Sequence, residues 1–157
     1  MEIVKYEMRD LREIYDALHV SEILYLAVND EKYPIIFSML FGCEMVDDTI
    51  ALYFYDDKKN DKTEIISKHP DVSIRTEVVY EYYEYPETAM SCSYESVTGT
   101  GTCVLCNEEF HHAMDLILTH YGFEGSLVND DLAEKKNIFK ITLNHVTGKR
   151  HVKTPQF

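Results

Sequence analysis

The chain has 157 residues and carries 15 Lys and Arg against 28 Asp and Glu, a formal net charge of −13. This length predicts a single domain over residues 1–157, and a hydrophobic content of 45% is enough to form a buried core. Nucleic acid and anionic membranes are not expected as partners, because both would repel so acidic a chain. We recognise neither a signal peptide nor an apolar run of about 20 residues, so a cytoplasmic protein is expected.

The first half of the chain predicts a short helix followed by three strands. The helix covers residues 10–19, where apolar side chains recur at helical spacing. Strands are predicted over 23–28, 34–41 and 50–55, the first two joined by a connection of hairpin length. Alternation in the third strand puts apolar or aromatic side chains on both of its faces. One face is therefore expected to line the core, and the other an interface or a ligand.

The second half adds two helices and three strands to this pattern. In chain order it predicts a polar loop over 56–62, a helix over 63–68, strands over 71–85 and 93–106, a helix over 108–120 and a last strand over 138–146. Helices inserted among successive hairpins favour a mainly β fold of the α+β class. The expected architecture is an antiparallel barrel of six strands, closed or partly closed, with flanking helices.

Lysines are scarce enough in this chain for their positions to be informative. Lys58, Lys59 and Lys62 place three of the fifteen cations between the two-faced strand and the following helix. Ammonium groups at the end of an aromatic strand could hold the phosphate of a flat ligand. A solvated loop is the other interpretation, and composition alone favours it.

The pair Cys103 and Cys106, with His111 and His112 just beyond, has the residue types of a metal or redox site. The cysteines fall in a predicted strand, where residues three apart point to opposite faces. Ordinary strand packing is therefore favoured and no metal site is predicted. No nucleophile motif such as Gly-x-Ser-x-Gly occurs, so no catalytic side chain is nominated.

Four stretches carry a family resemblance. They are residues 33–41, residues 50–55 followed by Lys62 and a helix ending at His69 and Pro70, residues 94–101, and residues 138–149. In this order the chain resembles the FMN-binding split-barrel proteins related to pyridoxamine 5'-phosphate oxidase. Within them it is most similar to the nitroimidazole-resistance (nitroimidazole reductase) branch. The resemblance implies a six-stranded split barrel that forms a homodimer, with FMN, or alternatively FAD, at the shared interface.

The resemblance also implies which residues contact the cofactor. The strand over 36–39 lies along the flavin, the segment from Phe54 to Lys62 reaches its phosphate and ribityl chain, and the segment over 94–98 completes the pocket. The implied cofactor-binding residues are Ile36, Phe37, Ser38, Met39, Phe54, Tyr55, Asp56, Lys59, Lys62, Ser96 and Val97.

The chain departs from its relatives at two places. Tyr55 stands where the nitroimidazole branch commonly has His. Asn60-Asp61-Lys62 replaces the Ser-Arg-Lys cluster of the oxidase branch, which leaves Lys62 as the phosphate contact. Oxidation of pyridoxamine phosphate itself is therefore not expected.

The implied function is an FMN-dependent oxidoreductase that reduces nitroaromatic or quinone-like small molecules with electrons from a nicotinamide donor. One alternative is a binding protein of the same fold that holds flavin or haem without turnover, with His111, His112 or His145 as an axial ligand. Another is a structural dimer without cofactor, an alternative supported by Asp61 in the phosphate loop.

Overall fold

Eight β-strands and four α-helices make up residues 3–153, the part of the chain that the computed structural model describes. The strands are β1 (Ile3–Met8), β2 (Leu24–Asp30), β3 (Tyr33–Met39), β4 (Gly42–Val46), β5 (Thr49–Asp57), β6 (Asp71–Tyr85), β7 (Ala89–Leu105) and β8 (Lys136–Lys153). The helices are α1 (Leu11–Val20), α2 (Lys62–Lys68), α3 (Phe110–His120) and α4 (Asp130–Lys135). No helix within these residues combines the length and the apolar composition that crossing a bilayer requires.

The strands form one antiparallel sheet in the order β3-β2-β6-β7-β8-β5-β4, and β1 pairs with the far end of β8. Strands β3 and β4 lie at opposite ends of this order, yet only Leu40 and Phe41 separate them in the chain. The sheet must therefore curl until its two ends lie within about 11 Å at this corner. Between residues 3 and 153 no ladder joins β3 to β4, so the sheet is open there.

The predicted class, mainly β and antiparallel with flanking helices, is confirmed, but the prediction of a six-stranded barrel is wrong in its number of strands. Strands β1 and β4 are the two that the sequence pattern missed. Strand β8 also continues to Lys153 instead of ending at Val146. Its polar end, Thr147 to Lys153, is kept extended by pairing with β1 and β7, partners that lie far away in sequence.

The main core fills the inside of the curled sheet. Helix α1 begins where the carboxylate of Asp10 accepts a hydrogen bond from the backbone N–H of Arg12 at 2.9 Å, and it buries Ile14 and Leu18. The strands contribute the side chains of one face. The largest fully buried ones are Met8, Leu24, Leu26, Ile50, Leu52, Phe54 and Phe139, and Phe41, between β3 and β4, is buried with them.

A second apolar cluster lies on the outer face of β5, where Ala51 and Tyr53 pack against Ala113 and Ile117 of α3. The helix approaches closely because Gly42 has no side chain. A Cβ at this position would lie 2.6 Å from the backbone nitrogen of Ile117. The expectation that this face of residues 50–55 lines an interface or a ligand is therefore wrong, since α3 covers it.

Candidate functional site

Strand β3 forms one edge of the sheet. It pairs with β2 alone, so every second backbone N–H and C=O of β3 points away from its neighbour. Within the described chain, residues 35–39 form no hydrogen bond outside this ladder. Ile36 is 68% exposed and Ser38 is exposed as well, whereas Phe37 and Met39 turn inward against the core.

Lys62 brings three elements together at this edge. Its ammonium lies 2.9 Å from Oδ2 of Asp56, at the end of β5, and 5.1 Å from the ring centroid of Phe37 in β3. The side chains of the ion pair are only 21% and 17% exposed. The side-chain oxygen of Asn60 accepts the backbone N–H of Lys62 at 2.9 Å and so fixes the start of α2. Three predicted contact residues, Phe37, Asp56 and Lys62, thus meet in one place.

Lys58 and Lys59 belong to the loop that leads from β5 to Lys62 at the start of α2. They line a groove of about 370 Å³ together with Asp57, Glu134 and Lys135. The backbone N–H of Lys58 donates to the carbonyl of Lys135 at 3.1 Å, which attaches the loop to the end of α4.

Lys136 adds a further cation to this region. The sequence-based prediction included only the lysines of the 58–62 loop. The Lys136 ammonium donates to Asp57, a hydrogen bond that holds the pKa of that carboxyl below its ordinary value, and lies 5.7 Å from the ring centroid of Tyr55. We call Lys58, Lys59, Lys62, Lys135 and Lys136 the lysine corner. The adjacent Lys135 and Lys136, in a chain poor in cations, were the available sequence signal.

Two predicted contact residues have side chains that are buried in the core. Phe54 is fully buried and stacks on Phe139 with ring centroids 4.9 Å apart, and Val97 is fully buried among core residues. Only the backbone of these residues could meet a ligand at the surface.

Ser96 is buried on β7, opposite Glu77 and Lys149. Strand β7 stands three places from β3 in the sheet, roughly 14 Å along it. Ser96 and Lys62 of one chain therefore do not form a single site along the sheet.

Comparison of the chain with models of known protein families identifies its family. Residues 10–150 match the family model described as pyridoxamine 5'-phosphate oxidase. The chain belongs to the pyridoxamine 5'-phosphate oxidase family. Among curated protein sequences, none gives a significant match.

Solved structures share the fold of this family member. A proposed 5-nitroimidazole antibiotic resistance protein from Bacteroides thetaiotaomicron has a TM-score of 0.77 at 21% identity, over 96% of this chain and 90% of its own. A FAD-binding protein from Mesorhizobium loti has a TM-score of 0.67 at 15% identity, over 97% of this chain and 100% of its own. A FAD and heme binding protein from Mycobacterium smegmatis has a TM-score of 0.72 at 12% identity, over 96% of this chain and 76% of its own. At these identities the likeness is one of fold.

The cysteines of this family member pack as the strand pattern predicts. Cys103 is buried in the main core and Cys106 in the cluster under α3, so the two thiols lie on opposite faces. The Cys106 thiol donates to Glu109 at 2.7 Å. The neighbouring histidines have carboxylate partners, His111 with Asp130 at 3.4 Å and His112 with Glu44 at 2.7 Å.

Proposed function

We propose that the protein binds FMN along β3, with its phosphate at the lysine corner, and works as a flavin-dependent oxidoreductase. The observation that carries the proposal is the ammonium of Lys62, held against the ring of Phe37 beside an edge strand whose outward backbone groups have no partner among the described residues. Family membership supports the cofactor class.

The residues at this edge fit the two ends of a flavin mononucleotide. A planar isoalloxazine ring needs an apolar surface and a few polar groups in its plane, and β3 offers exposed Ile36 beside free N–H and C=O groups. A phosphate needs cations, and Lys62 is the one already oriented toward the strand. To contact the phosphate, the Lys62 ammonium would exchange its ion pair with Asp56 for a charge-assisted hydrogen bond.

The chain's own residues position and tune the cofactor. The bound flavin supplies the hydride and electron transfer chemistry. Before the phosphate binds, Phe37 and Asp56 hold the Lys62 ammonium at the edge strand, and the outward backbone groups of β3 would orient the ring. We nominate no side chain as a general acid or base, in keeping with the sequence-based prediction.

The proposal includes a homodimer with flavin at the shared interface. Ser96 and Val97 stand on a strand three places from β3, so their expected contacts with the same flavin would come from a second copy. Tyr25, Tyr33 and Ile36 on β2 and β3 are exposed and offer apolar surface for such a contact.

As substrates we propose nitroaromatic or quinone-like molecules, with a nicotinamide as electron donor. The Bacteroides neighbour, a proposed 5-nitroimidazole antibiotic resistance protein, supports this class. A second candidate is a flavin or haem carrier without turnover. The Mesorhizobium and Mycobacterium neighbours favour it, because they are described by what they bind.

Two measurements on the purified protein separate these functions. An absorption spectrum is expected to have flavin bands, either as isolated or after incubation with FMN and removal of the excess. Anaerobic mixing of the loaded protein with NADH or NADPH and a nitroaromatic acceptor is then expected to oxidise the nicotinamide. Flavin bands without nicotinamide oxidation support the carrier. A colourless protein whose melting temperature is unchanged by added FMN contradicts both proposed functions.

A further inference from the structure

A groove on the outer face of β1, β7 and β8 is a candidate for a second binding site. Its lining includes the row Tyr94–His151–Lys5 and the pair Lys149–Glu7, and buried Ser96 lies beside Lys149 on β7. Residues in register on neighbouring strands project from the same face, and so do residues two apart on one strand. The groove measures about 500 Å³.

Cations predominate in the lining of this groove, with Lys5, Lys149 and Arg150 against Glu7. Within residues 3–153, neither Lys5 nor Lys149 has a carboxylate within 4.0 Å, although the chain as a whole is strongly acidic. Glu7 shares a row with Lys149 but pairs with Arg9 at 3.1 Å. By contrast, Arg150 forms ion pairs with Glu95 at 3.0 Å and Glu13 at 3.1 Å. The two lysines are therefore the cations that remain for a ligand.

His151 gives the groove a neutral, sheltered wall. It is only 9% exposed, and burial, with a smaller effect of the Lys5 charge, holds its pKa below the ordinary value, so the ring is neutral at pH 7. Nε2 lies 3.4 Å from the hydroxyl of Tyr83, and the ring of Tyr94 meets the imidazole edge-on with centroids 5.5 Å apart. Aromatic walls beside two free ammonium groups suit a flat molecule that carries an anionic group.

We propose that this groove binds the oxyanion, phosphate or carboxylate, of a planar aromatic co-substrate. Its role as a co-substrate site rests on the proposed function, because the link is Ser96, an expected flavin contact that lies directly opposite Lys149. Binding of the oxyanion itself requires only the groove. The two claims can therefore fail separately.

The variant for the test replaces both lysines, Lys5→Met with Lys149→Met, since both are exposed. The matched control is Lys32→Met, an exposed lysine at the β2–β3 turn whose ammonium lies 5.3 Å from the ring centroid of Tyr33. The first readout is the NMR signal of the His151 ring, assigned with His151→Gln, during titration with sodium pyrophosphate and separately with benzoate. A saturable shift in the native protein and in the control, lost in the double variant, is expected. No saturable shift with either anion overturns the proposal.

The second readout separates charge from aromatic recognition in turnover. With 4-nitrobenzoate as acceptor the double variant is expected to raise KM about tenfold, whereas KM for the neutral 4-nitrobenzyl alcohol stays unchanged. A KM for NADPH that rises while that for 4-nitrobenzoate does not would assign the groove to the donor's phosphates. If the KM for each of the three compounds is the same in the native protein and in the double variant, the co-substrate role is overturned. If no flavin binds, the NMR titration still decides whether the groove holds an oxyanion.

Discussion

Lys62 of α2 carries its ammonium 5.1 Å from the ring centroid of Phe37 in β3. A cation at this distance from an aromatic ring is held without a hydrogen bond, and the nearby carboxylate of Asp56 adds an ion pair at 2.9 Å. The positive charge is therefore oriented toward the edge strand before a ligand arrives. Orienting a charge in advance lowers the entropy lost on binding.

Removing the Lys62 ammonium should weaken FMN binding. Charge-assisted hydrogen bonds contribute about 1.5–3 kcal/mol, so Lys62→Met is expected to raise the Kd for FMN about tenfold to a hundredfold. The measurement is a titration followed by flavin fluorescence. Lys68→Met, in the same helix and paired with Glu64 at the surface, is the matched control and should leave Kd unchanged. An equal loss of FMN affinity in both variants would show that Lys62 does not contact the phosphate.

Asp56 should oppose phosphate binding, although sequence reasoning counted it among the cofactor contacts. Its carboxylate neutralises Lys62 and would repel a phosphate. Asp56→Asn is therefore expected to tighten FMN binding a few-fold at low salt, with a smaller gain at high salt because screening weakens the repulsion. Asp16→Asn, which alters an exposed carboxylate on α1, serves as the control. A weaker affinity in Asp56→Asn would mean that the carboxylate helps to hold the cofactor.

Local patterns were sufficient for the elements whose partners are close in the sequence. The β2–β3 hairpin, β6 and helix α3 follow from alternation, turn residues and helical periodicity within one segment. The structure also brings Phe37, Asp56 and Lys62 together, all three expected from family resemblance. These contacts join segments that lie within 26 residues of each other.

The features that sequence reasoning missed depend on distant pairing. The polar end of β8 becomes a strand because β7 and β1 pair with it, and β1 lies 140 or more residues away in the sequence. Lys136 reaches Asp57 across 79 residues for a similar reason. Single-segment periodicity carries no information about such partners, and it equally could not indicate that α3 would cover the outer face of β5.

Gly42 should be indispensable for the packing of α3. A methyl group there would lie 2.6 Å from the helix backbone at Ile117 and at Leu116, atoms that cannot rotate away. Gly42→Ala is expected to lower the free energy of unfolding by about 1–3 kcal/mol, measured by urea denaturation. Gly125→Ala is the control, because a Cβ there meets no atom within 4 Å. Similar stability in the two variants would contradict the close approach of α3.

The four cysteines should differ sharply in reactivity. Burial raises the pKa of Cys43, Cys103 and Cys106 to about 12, so these thiols hold little thiolate at neutral pH. Cys92 is only partly buried. Labelling of the native protein with a thiol reagent should therefore show one fast site, lost in Cys92→Ser, and three further sites on unfolding. Two or more fast sites would contradict the burial of the other three.

His120 should make stability fall in mild acid. Its Nε2–H donates to the carbonyl of Ser21 at 2.7 Å, and buried Nδ1 has no partner among the described residues, so protonation would bury a charge. Burial accordingly lowers the pKa of His120. The stabilisation is complete above the ordinary histidine value of about 6.5 and is lost as the pH falls below it.

Urea denaturation at pH 7.5 and pH 5.5 measures this effect. His120→Gln, which keeps a donor for Ser21 but cannot titrate, should lose less stability between the two pH values than the native protein. His145→Gln, at an exposed position, should retain the native pH dependence. An unchanged dependence in His120→Gln would exclude His120 as the source.

The crystal structure of the protein saturated with FMN tests the central claim most directly. The account predicts the flavin ring along residues 36–39 of β3, its phosphate within hydrogen-bond distance of the Lys62 ammonium, and the ion pair to Asp56 opened. A structure in which FMN lies elsewhere, or in which Lys62 still contacts Asp56 and the edge of β3 remains free, would contradict it.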